Sequence, residues 1–210
     1  MGLALQETQL ADLLRLVADI KIVKFHYVGW NECIGSFMST MGPESFFKIL
    51  PMRLCDHDFN SLQYAQESKS YLLPVIQKYL KRGDLAFFVQ YFMPQINQLD
   101  EVRKQCLNQR NPNYSLVKAK KYETLIVQIW ETAHIFCRFN SARLLESFSS
   151  MLPYLEAMVN KNVLGLNAVA LRIFSEMISH CRNTPVVTDQ IKKTRTGLQR
   201  IAPDYIKGLS

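Results

Sequence analysis

The fold is decided by residues 122–137, which read YETLIVQIWETAHIFC. Apolar side chains recur every three or four residues along this stretch, which is the spacing of one face of an α-helix. They are Tyr122, Leu125, Ile126, Ile129, Trp130, Ala133, Phe136 and Cys137. The pattern predicts a long amphipathic helix with one buried face.

Similar spacing recurs along the rest of the chain. Five further helical patterns cover residues 10–17, 85–99, 145–159, 164–181 and 187–201. Asp84 is suited to cap the second of them, because a carboxylate accepts hydrogen bonds from the unpaired N–H groups of a first helical turn. No convincing strand pattern of alternating apolar and polar residues is found, so the sequence predicts an all-α chain.

Breaks and prolines indicate how these helices are arranged. The breaks at residues 111–113, 139–141 and 183–185 are short enough to return each next helix antiparallel, whereas residues 55–68 predict a longer loop. A proline follows two apolar residues four times, and a proline inside a helix kinks it. These prolines are Pro51, Pro74, Pro94 and Pro153.

Four similar kinks and helix pairs of about 40 residues are typical of HEAT and armadillo repeats. We therefore expect residues 1–210 to form a single segment, an all-α, HEAT/armadillo-like right-handed helical solenoid of antiparallel helix pairs.

Composition excludes several other classes of protein. The chain has 210 residues, 48% of them apolar and 20% charged, with eight Gly and eight Pro, which is typical of a folded helical protein. Its five cysteines form no C-x-x-C pair, which favours free thiols in the cytosol or nucleus over a disulfide framework. No apolar run approaches about 18 residues and no signal peptide is recognisable, so we expect no membrane partner.

The net charge of +7 is concentrated in two stretches, which indicates an anionic partner. Residues 1–66 carry five Lys and Arg against seven Asp and Glu, whereas residues 101–121 carry six against one and residues 182–210 six against two. Ten cations are candidate RNA-binding residues, since Lys and Arg bind phosphate in any nucleotide sequence. They are Arg103, Lys104, Arg110, Lys118, Lys120, Lys121, Lys192, Lys193, Arg195 and Arg200. The alternative is that they form only the solvated faces of helices.

The position of three of these lysines favours a partner. We expect Lys118, Lys120 and Lys121 to begin the longest helix, where positive charge opposes the helix dipole by a few tenths of a kcal/mol each. Because this placement costs the helix stability, it raises the expectation that the lysines bind something.

Catalytic and metal-binding motifs give little support for an enzyme. The sequence contains no glycine-rich phosphate loop, no nucleophile elbow and no H-E-x-x-H motif. The run from Cys55 to Asp58 offers a thiol, an imidazole and two carboxylates, but no second Cys or His pair lies at zinc spacing. We predict no catalytic, cofactor-binding or metal-binding residue and no small-molecule substrate. An enzyme built around His57 or His180 is the least favoured alternative.

Several short motifs follow one another in a distinctive order. They are Gly42-Pro43-Glu44, Ile49-Leu50-Pro51, Tyr71-Leu72-Leu73-Pro74, Tyr79-Leu80-Lys81, Leu85-Ala86-Phe87-Phe88, Tyr91-Phe92-Met93-Pro94, Gln128-Ile129-Trp130 and Phe136-Cys137. This order resembles the central segment of the ribosomal RNA-processing protein 12-like family over about residues 42–181, two thirds of the chain. Members of that family are longer HEAT-repeat proteins, so the resemblance implies a fragment of a longer solenoid.

The resemblance implies a nuclear and nucleolar, non-enzymatic scaffold in ribosome biogenesis, pre-rRNA processing and export of pre-ribosomal subunits. Its implied partners are pre-ribosomal RNA or the pre-ribosomal particle, together with assembly factors or nuclear-transport components. The residues alone leave open whether the basic faces contact RNA. The alternative is a general peptide-binding or nuclear-transport adaptor with no direct RNA contact.

Overall fold

The computed structural model describes residues 2–20, 27–55, 68–108, 112–138, 144–161 and 163–183. Within these ranges the chain forms eight helices and no strand, which confirms the predicted all-α fold. The helices are α1 (Gly2–Asp19), α2 (Tyr27–Met41), α3 (Pro43–Ile49), α4 (Leu72–Tyr79), α5 (Leu85–Phe87, Phe88–Phe92 and Met93–Leu107 in succession), α6 (Pro112–Cys137), α7 (Leu144–Lys161) and α8 (Asn167–Asn183). No helix in the described ranges has the length and apolar character needed to cross a bilayer.

The chain divides into two compact units, Met1–Gly83 and Asp84–Ser210. The expectation of one continuous repeat segment over residues 1–210 stays a prediction. The predicted helix at 187–201 and nearly all of the predicted loop at 55–68 lie outside the described residues.

In the first unit, α2 packs against α1 and against Tyr71, the residue just before α4. Trp30 on α2 donates a hydrogen bond from Nε1 to the carbonyl oxygen of Val17 on α1 at 2.9 Å, and its ring lies edge-on to Tyr71 at 5.1 Å. Between α2 and α3 the backbone of Gly42 has a φ of +80°, which a residue without Cβ adopts at little cost. Pro43 then begins α3 with a φ already suited to a helix.

The second unit is built on an antiparallel hairpin of α5 and α6. The ring centroid of Phe88, near the start of α5, lies 5.8 Å from that of Trp130 and 5.6 Å from that of Phe136. Both of these residues are in the later part of α6. Such pairing of early with late residues requires the two helices to run in opposite directions. All eight residues of the predicted apolar stripe in α6 are at most 4% exposed, which confirms the amphipathic pattern.

The predicted N-cap of α5 is also confirmed. The Asp84 side chain accepts a hydrogen bond from the backbone N–H of Ala86 at 2.9 Å. This bond satisfies one of the N–H groups that a helix leaves unpaired at its start.

The predicted set of four proline kinks is wrong for two of its members. Pro51 follows the end of α3, and Pro74 is the third residue of α4. A first helical turn tolerates proline because its N–H groups have no partner within the helix. Pro153 does lie inside α7, and Pro94 follows the π-helical turn Phe88–Phe92 within α5. The wider π turn reduces the clash of a proline ring with the preceding turn.

Three helices of the first unit were absent from the predicted patterns: α2, α3 and α4. In α2 the buried residues Trp30, Ile34, Phe37 and Met38 do follow helical spacing, but glycine and hydroxyl residues interrupt them. Because α3 and α4 have seven and eight residues, each is too short to display a periodic stripe.

Candidate nucleic-acid interface

The described residues contain five of the ten candidate RNA-binding cations. Arg103 and Lys104 lie on α5, and Lys118, Lys120 and Lys121 lie on α6. The other five lie outside the described residues and stay predictions. They are Arg110, Lys192, Lys193, Arg195 and Arg200.

The two cations on α5 are neutralised within their own helix. Asp100 lies 2.8 Å from the guanidinium of Arg103 and 2.9 Å from Nζ of Lys104, while Glu101 lies 3.0 Å from the same Nζ. Burial raises the pKa of the Asp100 carboxyl, but hydrogen bonds from Lys104 and Arg103 outweigh burial and hold that pKa below its ordinary value. The Arg103 side chain is only 16% exposed, and Lys104, although 52% exposed, pairs with two carboxylates, so these four side chains together carry no net charge.

This pairing was not predicted, because Asp100 falls one residue before the basic stretch counted from residue 101. The signal was present, since a carboxylate three and four residues before cations on a helix is the spacing of intrahelical ion pairs.

The lysines of α6 lie on an outward surface that we name the Lys120 face. Its members follow the spacing i, i+3, i+4 and i+7, which places them together on one side of the helix. They are Val117, Lys120, Lys121 and Thr124. The opposite side, at Ser115, Ala119, Tyr122 and Ile126, is buried.

The stretch of α6 that carries the Lys120 face contains more lysines than acidic residues. Lys120 forms an ion pair with Glu123, yet its side chain is 71% exposed. Lys121 is exposed, and Lys118 lies half-buried at the edge. With three lysines against one glutamate between residues 112 and 124, this part of α6 stays positive.

The prediction that these lysines oppose the dipole at the start of the helix is wrong. Because α6 begins at Pro112, Lys118 is its seventh residue and Lys120 its ninth. The dipole effect is confined to about the first turn, so the lysines do not destabilise the helix through it. Their charge and exposure, not a cost to the helix, support a binding role.

Apolar side chains accompany the lysines. Val117 is 60% exposed and the adjacent Leu116 is 61% exposed. A surface that combines cations with aliphatic groups suits phosphates and ribose, and it also suits a protein partner with acidic and apolar residues.

The described side chains offer no metal site and an unreactive thiol. No group of three or more His, Cys, Asp and Glu residues comes together within the described ranges. Burial raises the pKa of the Cys137 thiol, so it stays protonated and is a poor nucleophile. Asp56, His57 and Asp58, and the side chains of His180 and Cys181, lie outside what the structure describes.

His134 is a buried imidazole in α6. Its Nδ1 donates to the carbonyl oxygen of Glu131 at 2.8 Å. Burial lowers the pKa of His134, and the positive charges of Arg172 and Arg138 lower it further, while the Glu131 bond and the Glu176 carboxylate act in the opposite direction. The imidazole is therefore held neutral at neutral pH.

Replacing His134 with glutamine is expected to flatten the pH dependence of stability of the Asp84–Ser210 unit. Below a pH of about 6.5 an unfolded histidine gains a proton that the folded one resists, so wild-type stability falls as the pH decreases through this range. The measurement is denaturant unfolding at a series of pH values. The difference between the two proteins cancels all other titrating groups, and equal slopes would contradict the neutral buried imidazole.

Comparison with known proteins gives a consistent result. The family model for the HEAT repeats of ribosomal RNA-processing protein 12 matches residues 5–209. The RRP12-like protein of Homo sapiens is 31% identical over 112 residues, covering 53% of this chain and 8% of that protein. The RRP12-like protein of Gallus gallus is 30% identical over 107 residues, covering 51% of this chain and 8% of that protein.

A yeast relative agrees with these two. The ribosomal RNA-processing protein 12 of Saccharomyces cerevisiae is 29% identical over 116 residues, covering 55% of this chain and 8% of that protein. The match therefore involves less than a tenth of each of these longer relatives, and it confirms the resemblance found in the ordered motifs. The chain belongs to the family of ribosomal RNA-processing protein 12 HEAT repeats.

Proposed function

We propose that this chain is a non-enzymatic scaffold segment in ribosome biogenesis, and that it contacts pre-ribosomal RNA through the Lys120 face. The name of the Saccharomyces cerevisiae relative, ribosomal RNA-processing protein 12, supports the general role. The observation that carries the RNA contact is the pair of exposed lysines, Lys120 and Lys121, adjacent on the outward side of α6.

The exposure of the α6 lysines and the excess of lysine over acidic residues in this stretch of sequence support RNA as the partner. Arg103 and Lys104 share Asp100 and Glu101, so binding a phosphate through them requires breaking existing ion pairs. Residues 112–124 carry three lysines and one glutamate, and Lys120 and Lys121 are exposed, so RNA phosphates can reach them and release counterions on binding. Contacts of this kind provide affinity without reading the nucleotide sequence.

We propose a nuclear and nucleolar location and two kinds of partner for this protein. It works in the nucleus and nucleolus, on pre-ribosomal particles during RNA processing and subunit export. Its protein partners are assembly factors or nuclear-transport components. No small-molecule substrate or cofactor is part of the proposal.

Changing both Lys120 and Lys121 to glutamine is expected to weaken RNA binding by about tenfold at moderate salt. Each lost phosphate contact lowers the slope of log K against log salt by about 0.7 to 0.9, so the double variant should lower it by up to about 2. The measurement is titration of the full chain with fluorescently labelled, structured segments of precursor ribosomal RNA at several salt concentrations.

A matched control uses Lys48 and Lys81, which are exposed lysines of the Met1–Gly83 unit. Their double change to glutamine removes the same net charge elsewhere, and it should leave the salt slope nearly unchanged. Equal losses for both double variants would indicate a nonspecific charge effect and would overturn the assignment to the Lys120 face. Far-UV circular dichroism checks that both variants stay helical.

A second candidate function is a protein-interaction module without RNA contact. The exposed Leu116 and Val117 beside the lysines favour it, because aliphatic side chains at a helix surface bind apolar residues of a partner. Changing Leu116 and Val117 to serine separates the two functions. RNA affinity that survives this change but falls with the lysine change supports the RNA contact, whereas absence of RNA binding in the wild type favours the protein partner.

A further inference from the structure

The first helix, α1, carries large apolar side chains on its solvent-exposed side. Leu13, Leu16 and Ile20 are 50%, 67% and 58% exposed. Ile20 directly follows α1, and its backbone N–H donates to the carbonyl oxygen of Val17 at 3.4 Å, so it continues the last turn. Single exposed apolar side chains are ordinary at protein surfaces, but a row of them marks an interaction site.

The spacing of this row is that of a coiled-coil seam. Leu13, Leu16 and Ile20 are three and four residues apart, which corresponds to positions a, d and a of a heptad repeat. With 3.6 residues per turn they lie within about 60° of one another around the helix. We name these three residues the α1 seam. Leu14, which is fully buried, lies on a different side of α1, so a partner can cover the seam without displacing the helix.

Carboxylates follow the outer edge of the α1 seam. Asp12 and Asp19 both occupy position g of the same heptad register, and both are exposed. Asp12 lies 2.8 Å from the guanidinium of Arg15, but both side chains are more than half exposed, and such a pair contributes at most about 1 kcal/mol. Residues 1–20 carry three acidic side chains against one basic side chain. This charge favours a partner with cations beside its apolar residues.

A helix is the partner conformation that fits this surface. The backbone groups inside α1 already bond to each other, so an extended strand would find no backbone partners there. A partner helix instead inserts a side chain between those of the seam every three or four residues. A lipid surface fits less well, because helices that bind it carry Lys and Arg beside their apolar face and the surface itself is negative.

Charge also argues against a second copy of this chain as the partner. In an antiparallel pair of α1 helices, g positions face g positions, so Asp12 and Asp19 would approach the carboxylates of the other copy. In a parallel pair, g positions face e positions, which are Leu10 and Val17. Neither arrangement gives the two carboxylates a cation from the other helix.

We propose that the α1 seam binds an amphipathic helix of a partner protein, with apolar residues at its own a and d positions and Lys or Arg beside them. The apolar residues of the partner pack into the seam, and its cations pair with Asp12 and Asp19. The seam lies in the Met1–Gly83 unit and the Lys120 face in the other unit, so this proposal is independent of the RNA contact.

The first experiment titrates the full chain with two labelled peptides of three heptads, each with leucine at a and d. One peptide has lysine at e and g and the other has glutamate, so that like charges keep each peptide from pairing with itself. We expect the basic peptide to bind about tenfold more tightly than the acidic one at low salt. Changing Leu13 and Leu16 to glutamine should weaken binding of the basic peptide by at least about a hundredfold, because burial of two leucines is lost.

A matched control removes similar apolar groups elsewhere. Leu107 and Leu116 are 48% and 61% exposed on other helices, so their double change to glutamine should leave peptide binding unchanged. Trp30 fluorescence in a Trp130→Phe background checks that α1 stays docked in the seam variant, since the Trp30 indole donates to the carbonyl oxygen of Val17.

The second experiment tests the carboxylates. Changing Asp12 and Asp19 to asparagine should remove the preference for the basic over the acidic peptide. Changing Glu44 and Glu146, which are exposed carboxylates on other helices, to glutamine removes the same charge and should preserve that preference.

Five results would overturn the partner-helix site. Three come from the titrations: no binding of the basic peptide, equal binding of the two peptides, and binding that the leucine variant leaves unchanged. The other two are self-association in sedimentation velocity, or binding to vesicles of phosphatidylcholine and phosphatidylserine, when the leucine variant abolishes it. RNA titration of the leucine variant should match the wild type, so failure of this proposal is distinguishable from failure of the proposed function.

Discussion

Replacing Trp130 with alanine is expected to destabilise the Asp84–Ser210 unit by about 4 kcal/mol. The indole is 2% exposed and lies 5.8 Å from Phe88 and 6.3 Å from Tyr154, measured between ring centroids. Its loss removes apolar area from the core, and it leaves a cavity that the aromatic neighbours fill only in part. The measurement is chemical denaturation followed by circular dichroism.

Two controls test the mechanism of this loss. Trp130→Phe keeps an aromatic ring in the same place, so it should cost much less than the alanine change. Tyr154→Ala removes a ring that is 38% exposed, and it should cost a fraction of the Trp130→Ala value. Similar costs for Trp130→Ala and Tyr154→Ala would mean that burial does not govern stability here.

Replacing Gly35 with alanine is expected to destabilise the Met1–Gly83 unit by about 2 kcal/mol. Two effects oppose each other at this position. Alanine is favoured over glycine inside a helix by up to about 1 kcal/mol, but overpacking costs about 1 to 3 kcal/mol. The new Cβ would lie 2.2 to 2.7 Å from three atoms of the Tyr79 ring, so the ring or a helix must move and the cost lies at the upper end.

Gly29 on the same helix is the matched control. A Cβ at Gly29 meets nothing within 4 Å, so Gly29→Ala should gain helix propensity and stabilise the unit. Each unit contains one of the two tryptophans, so Trp30 fluorescence in a Trp130→Phe background reports on the first unit alone. Opposite signs for the two alanine changes are expected, and stabilisation by Gly35→Ala would contradict the close contact with Tyr79.

The helices α5 and α6 were predictable because each carries a complete local signal. The stripe of α6 and the Asp84 cap of α5 depend on residues within a few positions of each other, and both are confirmed. Proline position was not predictable in the same way. Pro74 and Pro153 follow the same two-residue apolar context, yet one lies in a first turn and the other inside a helix. The difference depends on the residue at which the helix begins. No local sequence pattern indicates the first residue of α4.

For the candidate RNA-binding residues, too, the sequence predicted one part of the result and the structure was needed for the other. The clustering of lysines at residues 118–121 was visible in the sequence. Which of these side chains face solvent was not. Arg103 belongs to the same basic stretch as Lys120, yet Arg103 is mostly covered and shares Asp100, while Lys120 is largely exposed. Packing of α5 against α6 determines which side of each helix faces solvent.

The sequence by itself determined the helical class of this protein, the buried face of its longest helix and its family, because periodic apolar residues and ordered motifs are written along the chain. The tertiary structure alone decided which cations are exposed and how closely the Tyr79 ring approaches Gly35. These features depend on contacts between residues on different helices or different helical turns. The energy of such a contact depends on distance in space and on burial, and not on separation along the sequence.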